Sequence, residues 1–329
     1  MAWQCLAMPM VTGRLAPGLA GAPYGMPIEQ GKVREFARAT KAADARFTAG
    51  PAPLSPPTFL VTNALWLEPG SWVLDYGDLD WARLLSGGSE FTFSGPPLRA
   101  GERLTATQRV DEVYRKHGRR GGDMTFIVFT TAFARPDGSV AARERHTTIQ
   151  AARPPRPATP VSAAAGAPSA LGRAGAAVPA PARPEVVPGG AASLRPGDSL
   201  PQFVDEPVSV TDIVRYQGAS GDMNPIHHDT EVARAAGFPT VFSVGMLHAG
   251  ILGSYLGDLF GPEHVRQFGV QFRDQVWPGD VLTYSGQVAA WRGRPDGGPA
   301  EVDLTLTARR HLGGEHLRGH ATVMVAGGR

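Results

Sequence analysis

The chain has 329 residues, of which 42% are hydrophobic and 19% are charged, so it can bury a substantial core of about two domains. A formal net charge of +2 gives no electrostatic reason to expect a nucleic-acid partner. No apolar run is long enough to span a membrane, so we expect no membrane association. The single cysteine, Cys5, excludes an intrachain disulfide and is typical of a reducing compartment, so we expect a cytoplasmic protein.

Two segments are predicted to lie outside folded units. Residues 1–24 start with an apolar stretch that has no early Lys or Arg and is interrupted by Pro9, which argues against a signal peptide and favours a disordered extension. Residues 151–197 are dominated by Ala, Pro, Gly and Arg without any aromatic residue. Such a stretch cannot offset its ordering entropy by burial, so it is predicted to be a disordered linker between folded units at 25–150 and 198–329.

Each unit is predicted to contain a short helix, a loop, an apolar helix and then several strands. In the first unit, the apolar helix is expected from Thr58 to about Trp66, and a central strand from Met124 to Phe133. The two units also share three short sequence segments at a nearly constant spacing of 178 to 182 residues, which indicates an internal duplication. The matching segments are 33–40 with 213–220, 57–59 with 239–241, and 98–104 with 276–282.

The helices of the second unit have clear start signals. Ser209 is predicted to cap a helix through about Gln217, and Asp229 is predicted to cap a second short helix. A third helix follows Ser243 and ends at Phe260, and its apolar side chains cover nearly the whole circumference, as in a buried helix. Alternating apolar residues then predict consecutive strands, which favour an antiparallel sheet curled around that helix.

The most informative segment is the loop between the first two of these helices. It places the carboxylate of Asp222 and the imidazole of His227 five residues apart, with Pro225 between them preventing a continuous helix. A loop of this kind can aim both side chains at one point, as proton transfer requires. The third helix begins about sixteen residues after His227, and its N-terminus would offer unpaired backbone N–H donors to an oxygen that gains charge.

These segments resemble those of the MaoC-like (R)-specific enoyl-CoA hydratases and 3-hydroxyacyl dehydratases. The run Ser-Gly-Asp-Met-Asn-Pro-Ile-His at 220–227, followed by Ala233, looks like the family's hydratase signature. The segment 238–247 is similar to the start of its central helix, and the first unit looks like its N-terminal dehydratase-type domain through residues 56–59 and 97–101. The resemblance implies an α+β double hot-dog fold, in which each unit is a curled antiparallel sheet around a central helix.

The resemblance also implies an activity, the reversible hydration of trans-2-enoyl thioesters of CoA or acyl carrier protein to (R)-3-hydroxyacyl thioesters. It assigns Asp222 and His227 to a shared water and the backbone N–H of Gly245 to the thioester oxygen. It implies no cofactor. The supporting and substrate-binding positions expected beside them are Asn224, Ser220, Ser243, Val244 and Met246.

The first unit lacks these groups. By the spacing of the repeat, Ala42 stands at the position of Asp222 and Phe47 at that of His227, and neither can transfer a proton. The first unit is therefore predicted to be a degenerate copy that pairs with the active one as an intrachain pseudo-dimer and makes room for the acyl chain. Further association into a homodimer stays compatible with this arrangement.

Three alternatives are open from the residues alone. His227, His228 and Asp229 could suggest a metal site, but adjacent residues rarely converge on one ion without further ligands, so we expect none. A hot-dog thioesterase would need a carboxylate on or near the central helix, and the stretch from Met246 to Tyr255 has none. A non-catalytic subunit that binds acyl thioesters is disfavoured by the intact Asp and His pair.

Overall fold

A computed structural model describes residues 14–118, 122–152, 191–293 and 299–325. Within them the helices are α1 (Gln30–Ala39), α2 (Val210–Ser220), α3 (Thr230–Ala235) and α4 (Gly245–Phe260). The strands are β1 (Tyr24–Pro27), β2 (Leu84–Phe93), β3 (Arg103–Gly118), β4 (Gly122–Ala134), β5 (Val140–Ala151), β6 (Phe203–Val204), β7 (Val265–Phe272), β8 (Leu282–Arg292), β9 (Ala300–Arg310) and β10 (Glu315–Val325). None of the helices in these ranges has the length and apolar character needed to cross a membrane.

The strands form one antiparallel sheet in the order β1-β3-β4-β5-β2-β7-β10-β9-β8-β6. The two units contribute five strands each and meet where β2 pairs with β7, with Phe91 directly opposite Phe268. Read outward from this junction, the second unit repeats the strand order of the first. This correspondence supports the duplication indicated by the sequence and gives the pseudo-dimer a continuous sheet.

Helix α4 is buried between the two units, as its apolar circumference predicts. Its glycines permit close approach, since a Cβ at Gly250 would lie 2.5 Å from the Thr40 side chain of the first unit. A Cβ at Gly257 would lie 2.9 Å from the ring of Phe47. The helix ends at Gly261, whose φ of +90° is readily adopted only by glycine.

The shorter helices of the second unit begin where their capping residues predict. Ser209 and Asp212 form a reciprocal capping box at the start of α2, in which each side chain accepts a hydrogen bond from the other residue's backbone N–H. Asp229 accepts from the backbone N–H groups of Glu231 and Val232 at the start of α3. Both predicted caps are therefore confirmed.

The apolar helix predicted in the first unit is present but is not an α-helix. Residues Phe59–Trp66 form a 3₁₀ helix in which only four of the eight side chains are buried. Pro57 lies just before this segment and Pro69 just after it, and proline disfavours helical geometry at the preceding residue. The predicted helix is therefore present at the expected position but is only half-buried, and the first unit has a shorter central element than the second.

The limits predicted for the unstructured segments are too wide. Ala20 forms a bridge with Arg109 on β3, and the backbone N–H of Gly18 donates to the carbonyl of Val110 at 2.8 Å. Leu194 is buried, and the N–H of Gly197 donates to the carbonyl of Val288. The chain is thus ordered before residue 24 and again before residue 198, while residues 1–13 and 153–190 lie outside the described residues.

Candidate active site

The loop after α2 is shaped by a glycine, a capping asparagine and a proline. Helix α2 ends at Gly221, which has a left-handed φ of +84°. The Asp222 carboxylate accepts a hydrogen bond from the N–H of Asn224 at 3.2 Å. The Asn224 side chain in turn accepts from the N–H of Ile226, which starts the short 3₁₀ turn Pro225–His227. The predicted break in the helix is confirmed, and these local bonds fix the directions of the two functional side chains.

The imidazole of His227 is held in one tautomer. Its Nδ1 lies 2.8 Å from the carbonyl oxygen of Phe242, and a carbonyl can only accept, so Nδ1 carries the hydrogen. This leaves Nε2 as an acceptor. The side chain is 9% exposed, and its burial lowers the pKa below the ordinary value while the charge of Asp222 opposes that shift. His227 is therefore a neutral imidazole at neutral pH, able to take a proton at Nε2.

Asp222 lies beside this imidazole at the wall of a large cavity. The negative charge of Asp222 favours the protonated form of His227 and so opposes the effect of burial on its pKa. Burial raises the pKa of the Tyr216 hydroxyl, and the charge of Asp222 adds to that increase. Ser220 accepts a hydrogen bond from the backbone N–H of Asp222 at 3.3 Å and lines the same wall. The carboxylate and imidazole predicted to act together are thus neighbours in the structure.

Helix α4 begins at Gly245, as the sequence indicates. The N–H groups in the first turn of a helix have no intrahelical partner, so Gly245 can offer its N–H to a ligand. A Cβ at this position would lie 3.0 Å from the ring of Phe272, so glycine also avoids a steric conflict there. The next residue, Met246, lines the cavity.

Not all predicted residues reach the cavity. Asp222, Asn224, Ser220 and Met246 contribute to its wall, whereas His227 and Gly245 are not among its lining residues. The Ser243 hydroxyl instead lies 2.9 Å from Nε2 of the fully buried His248, and Val244 packs in the core. The turn before α4 thus directs both side chains into the protein interior, and a substrate-binding role for these two positions stays a prediction.

The cavity has a volume of about 710 Å³ and lies between the two units. This is the size typical of sites for small organic ligands. The shortened central helix of the first unit lines one side of it, which is consistent with the space expected for an acyl chain. The apolar part of the lining includes Val61, Leu67, Leu74, Leu84, Phe129 and Val232.

Sequence reasoning missed the polar part of this lining, which comes from the sheet of the first unit. Glu144 and His146 on β5 and Thr131 on β4 face the cavity together with Gln108 on β3. Only one signal pointed to them: Glu144 and His146 occupy alternate positions of a strand whose intervening residues are charged and exposed. The presence of these polar groups in the same cavity as Asp222 could not be obtained from a local pattern.

The structure gives the two adjacent histidines different partners. Nδ1 of His228 lies 2.8 Å from Oε1 of Gln217, whereas Nδ1 of His227 is bonded to the Phe242 carbonyl. Within the four described ranges, no group of three or more His, Cys, Asp or Glu side chains is arranged to hold a metal ion. His248 contacts the Tyr284 hydroxyl and Ser243, as expected for a hydrogen-bonded core histidine.

Comparison with known proteins gives matches for both units. Residues 192–306 match the MaoC-like domain family, and residues 17–144 match the FAS1-like dehydratase domain region. A segment of 97 residues is 34% identical to the peroxisomal hydratase-dehydrogenase-epimerase of Saccharomyces cerevisiae, and covers 30% of this chain and 10% of that protein. The match thus spans about a tenth of the curated relative.

Solved structures give the same architecture. A MaoC-like dehydratase superimposes with a TM-score of 0.72 at 20% identity, over 94% of this chain and 98% of the other. A conserved hypothetical protein of Mycobacterium tuberculosis, described as a double hot dog, superimposes with a TM-score of 0.59 at 14% identity, over 94% and 96% of the two chains. The α+β double hot-dog fold predicted from the sequence is therefore confirmed. With both units matched, this chain belongs to the MaoC-like dehydratase family, with an N-terminal FAS1-like dehydratase region and a C-terminal MaoC-like domain.

Proposed function

We propose that the protein is a hydro-lyase that reversibly hydrates trans-2-enoyl thioesters to (R)-3-hydroxyacyl thioesters, using Asp222 and His227. The single observation that carries this proposal is the state of the His227 imidazole. Its Nδ1–H is bound by the Phe242 carbonyl, so its unprotonated Nε2 remains to accept a proton beside the carboxylate of Asp222. A neutral base, with a carboxylate that lines the cavity and acts on it electrostatically, supplies the groups that hydration chemistry requires.

In the hydration direction, a water molecule donates hydrogen bonds to Nε2 of His227 and to the carboxylate of Asp222. Its oxygen forms a bond to the β-carbon of the enoyl thioester while the pair of groups takes its proton. The π electrons of the double bond move toward the thioester carbonyl, and the pair then delivers a proton to the α-carbon. Dehydration is the same sequence in reverse.

The negative charge that develops on the thioester oxygen needs donors that are already oriented. The start of α4 supplies them in this proposal, with the Gly245 N–H as the donor and Met246 at the edge of the cavity. Backbone donors at a helix N-terminus also act through the helix dipole. Removal of one such donor in other enzymes costs about 3 kcal/mol of transition-state stabilisation.

The test is to assay hydration of crotonyl-CoA and longer 2-enoyl-CoAs by loss of enone absorbance, with the corresponding acyl-carrier-protein thioesters assayed in parallel. Asp222→Asn and His227→Ala should each lower kcat by about 10² to 10⁴, the usual contribution of a positioned acid–base group. His117→Ala is the matched control, because this exposed imidazole lies on β3, where its Nδ1 pairs with Asp123. Turnover like that of the wild type in both site variants would reject the assignment.

A thioesterase activity is less well supported. Asp258 is the single carboxylate of α4, and it accepts a hydrogen bond from the backbone N–H of Asp44 at 2.9 Å, near the far end of the helix from Gly245. It joins the two units instead of facing the start of the helix. Free thiol release from saturated acyl-CoA, measured in the same preparations, would favour the thioesterase, and binding without turnover would favour a non-catalytic acyl-binding subunit.

A further inference from the structure

Three polar side chains form a continuous row across the sheet of the first unit, on its cavity side. Gln108 on β3 is directly opposite Thr131 on β4, and Thr131 is directly opposite Glu144 on β5. Their exposed fractions are 3%, 1% and 5%, and all three line the cavity. The Oε1 of Gln108 accepts from the Val73 N–H at 3.2 Å, so the hydrogen-bonding capacity that a ligand or water in the cavity would satisfy lies at Thr131 and Glu144.

Of the two carboxyl oxygens of Glu144, Oε1 has a hydrogen-bond partner among the described residues. The Ser89 hydroxyl donates to Oε1 of Glu144 at 3.2 Å, and the same hydroxyl lies 2.7 Å from Nδ1 of His146. Because Ser89 donates its one hydrogen to Glu144, Nδ1 of His146 is the donor to Ser89, and Nε2 is then an acceptor. Among the described residues, no donor reaches Oε2 of Glu144 or the hydroxyl of Thr131.

A plain hydrocarbon chain would fit this wall poorly. It would displace water from the carboxyl of Glu144, the hydroxyl of Thr131 and the imidazole of His146 without replacing the lost hydrogen bonds. Leaving buried polar groups unpaired is unfavourable, and a site built to bond a substrate hydroxyl discriminates strongly against the analogue that lacks it. The remaining lining of the cavity is largely apolar, so the polar row marks one particular position along the bound chain.

The charged residues that line the cavity indicate which kind of substituent on the acyl chain the polar row can bind. Glu144 and Asp222 both line it, while neither Lys nor Arg is among its lining residues. A carboxylate on the distal part of an acyl chain would meet two acidic groups and no cation. Above about pH 7, where Glu144 is ionised, Oε2 of Glu144 and Nε2 of His146 are acceptors, and they match a substituent that donates a hydrogen bond.

We propose that the row formed by Gln108, Thr131 and Glu144, with His146 beside it, is a subsite for a hydroxyl group on the acyl chain, remote from the thioester. This hydroxyl is distinct from the one formed at the β-carbon, which belongs to the Asp222 and His227 site. The inference rests on the proposed function for the position of the thioester end. The recognised ligand class is therefore a hydroxylated acyl thioester, in preference to a plain or dicarboxylic one.

The experiment measures binding separately from turnover. Saturated medium-chain acyl-CoAs, each with one hydroxyl placed stepwise along the distal half of the chain, are titrated by calorimetry into the full chain at pH 8, above the pKa of Glu144. Their affinities are compared with that of the unsubstituted acyl-CoA. One member of the set should bind at least about tenfold more tightly than the plain ligand, the value of one well-formed buried hydrogen bond. Enoyl-CoAs of the same set are assayed for hydration in parallel.

Substitutions at Thr131 and Glu144 test whether these side chains cause the preference for the hydroxylated ligand. Thr131→Val keeps the side-chain shape, and Glu144→Gln replaces an acceptor oxygen by a donor, so both should reduce the preference for the hydroxylated ligand severalfold or more. Thr105→Val is the matched control, because Thr105 is exposed on the same sheet at an outward position of β3. Its preference should equal that of the wild type.

Two outcomes overturn the subsite: equal affinity for all ligands of the set, or an unchanged preference in both Thr131→Val and Glu144→Gln. A clear binding preference without hydration of any enoyl-CoA would reject the proposed function and leave the subsite standing. Hydration of plain enoyl-CoAs with equal affinities would reject the subsite and leave the proposed function standing. The two proposals therefore fail independently.

Discussion

Gln217 holds the loop that carries Asp222 and His227, through a hydrogen bond of 2.9 Å from its Nε2 to the carbonyl oxygen of Asn224. Its Oε1 lies 2.8 Å from Nδ1 of His228 on the far side of the loop. Gln217 is buried in α2, so one amide side chain joins a rigid helix to both sides of the 3₁₀ turn. It orients the proposed acid–base pair without contacting the substrate.

Replacement of this positioning residue should therefore change the rate more than the binding of substrate. We expect Gln217→Leu to lower kcat for enoyl-CoA hydration by about 10- to 100-fold while KM changes little, because small misplacements of catalytic groups have effects of this size. Arg215→Gln is the control, since Arg215 is exposed on the same helix and pairs with Asp212. A change in KM without a fall in kcat, or equal falls in kcat in both variants, would contradict the positioning role.

The pH dependence of activity should reflect the burial of His227. Burial lowers its pKa below the ordinary value of about 6.5, so the neutral imidazole persists into mildly acidic solution. The acidic limb of kcat/KM should accordingly lie below pH 6.5. Since the charge of Asp222 raises this pKa, the residual activity of Asp222→Asn should show an acidic limb at still lower pH. A shift toward higher pH in that variant would contradict the electrostatic link between the two residues.

Glu144 should make the protein less stable as the pH rises. Burial raises its pKa from 4.5 to about 7, so the folded state binds the proton more tightly than the unfolded state does. The free-energy cost of ionising this buried carboxyl group is absent below pH 4.5, grows as the pH rises to about 7 and is then constant. Glu144→Gln should remove this cost. The free energy of unfolding of the variant minus that of the wild type should therefore be about 3 kcal/mol larger at pH 8 than at pH 4.5.

Urea unfolding of the two proteins at a series of pH values measures this difference. The wild type and Glu144→Gln should converge at the acidic end and separate toward neutral pH. A constant difference across the whole range would mean that Glu144 does not titrate differently in the folded and unfolded states.

The second unit contains a buried ion pair that should be important for stability. The Arg310 guanidinium donates to both carboxylate oxygens of Asp280, at 2.6 and 3.0 Å, and both side chains are fully buried. Asp280→Asn would remove the closer of two carboxylates beside the buried arginine, with Asp274 remaining at 3.8 Å, and should cost about 3 kcal/mol. In the control variant Glu301→Gln, which removes an exposed partner of Arg292, the cost should stay below about 1 kcal/mol. Chemical denaturation compares the two directly.

Two glycine substitutions test the packing of the units against each other. Gly250→Ala would place a Cβ 2.5 Å from the side chain of Thr40, and such overpacking should cost about 1–3 kcal/mol. Gly31→Ala in α1 meets nothing within 4 Å and should gain about 0.5 kcal/mol from helix propensity. Thermal unfolding should give shifts of opposite sign. Equal shifts would show that α4 does not pack tightly on the first unit.

Much of the site could be predicted because its signals are local. Pro225 breaks the helix, Asn224 caps the next turn, and the apolar run after Ser243 starts a buried helix at Gly245. Each of these depends on residues only a few positions apart, and the sequence pattern therefore indicated both where Asp222 lies and where the helix begins. The inward direction of the Ser243 side chain could not be predicted, because it depends on His248, which is held by Tyr284 on β8 and packs on His316 of β10.

The sequence by itself indicated that the chain contains two related units, that only the second has an acid and an imidazole at the positions of Asp222 and His227, and that a helix N-terminus follows them. The tertiary structure decided the rest, because the deciding contacts join residues far apart in the chain. The Phe242 carbonyl selects the tautomer of His227, and the short central helix of the first unit helps form the cavity between the units. Strand pairing brings Gln108, Thr131 and Glu144 into one row on its wall, since neighbours in a sheet are fixed by register and not by distance along the sequence.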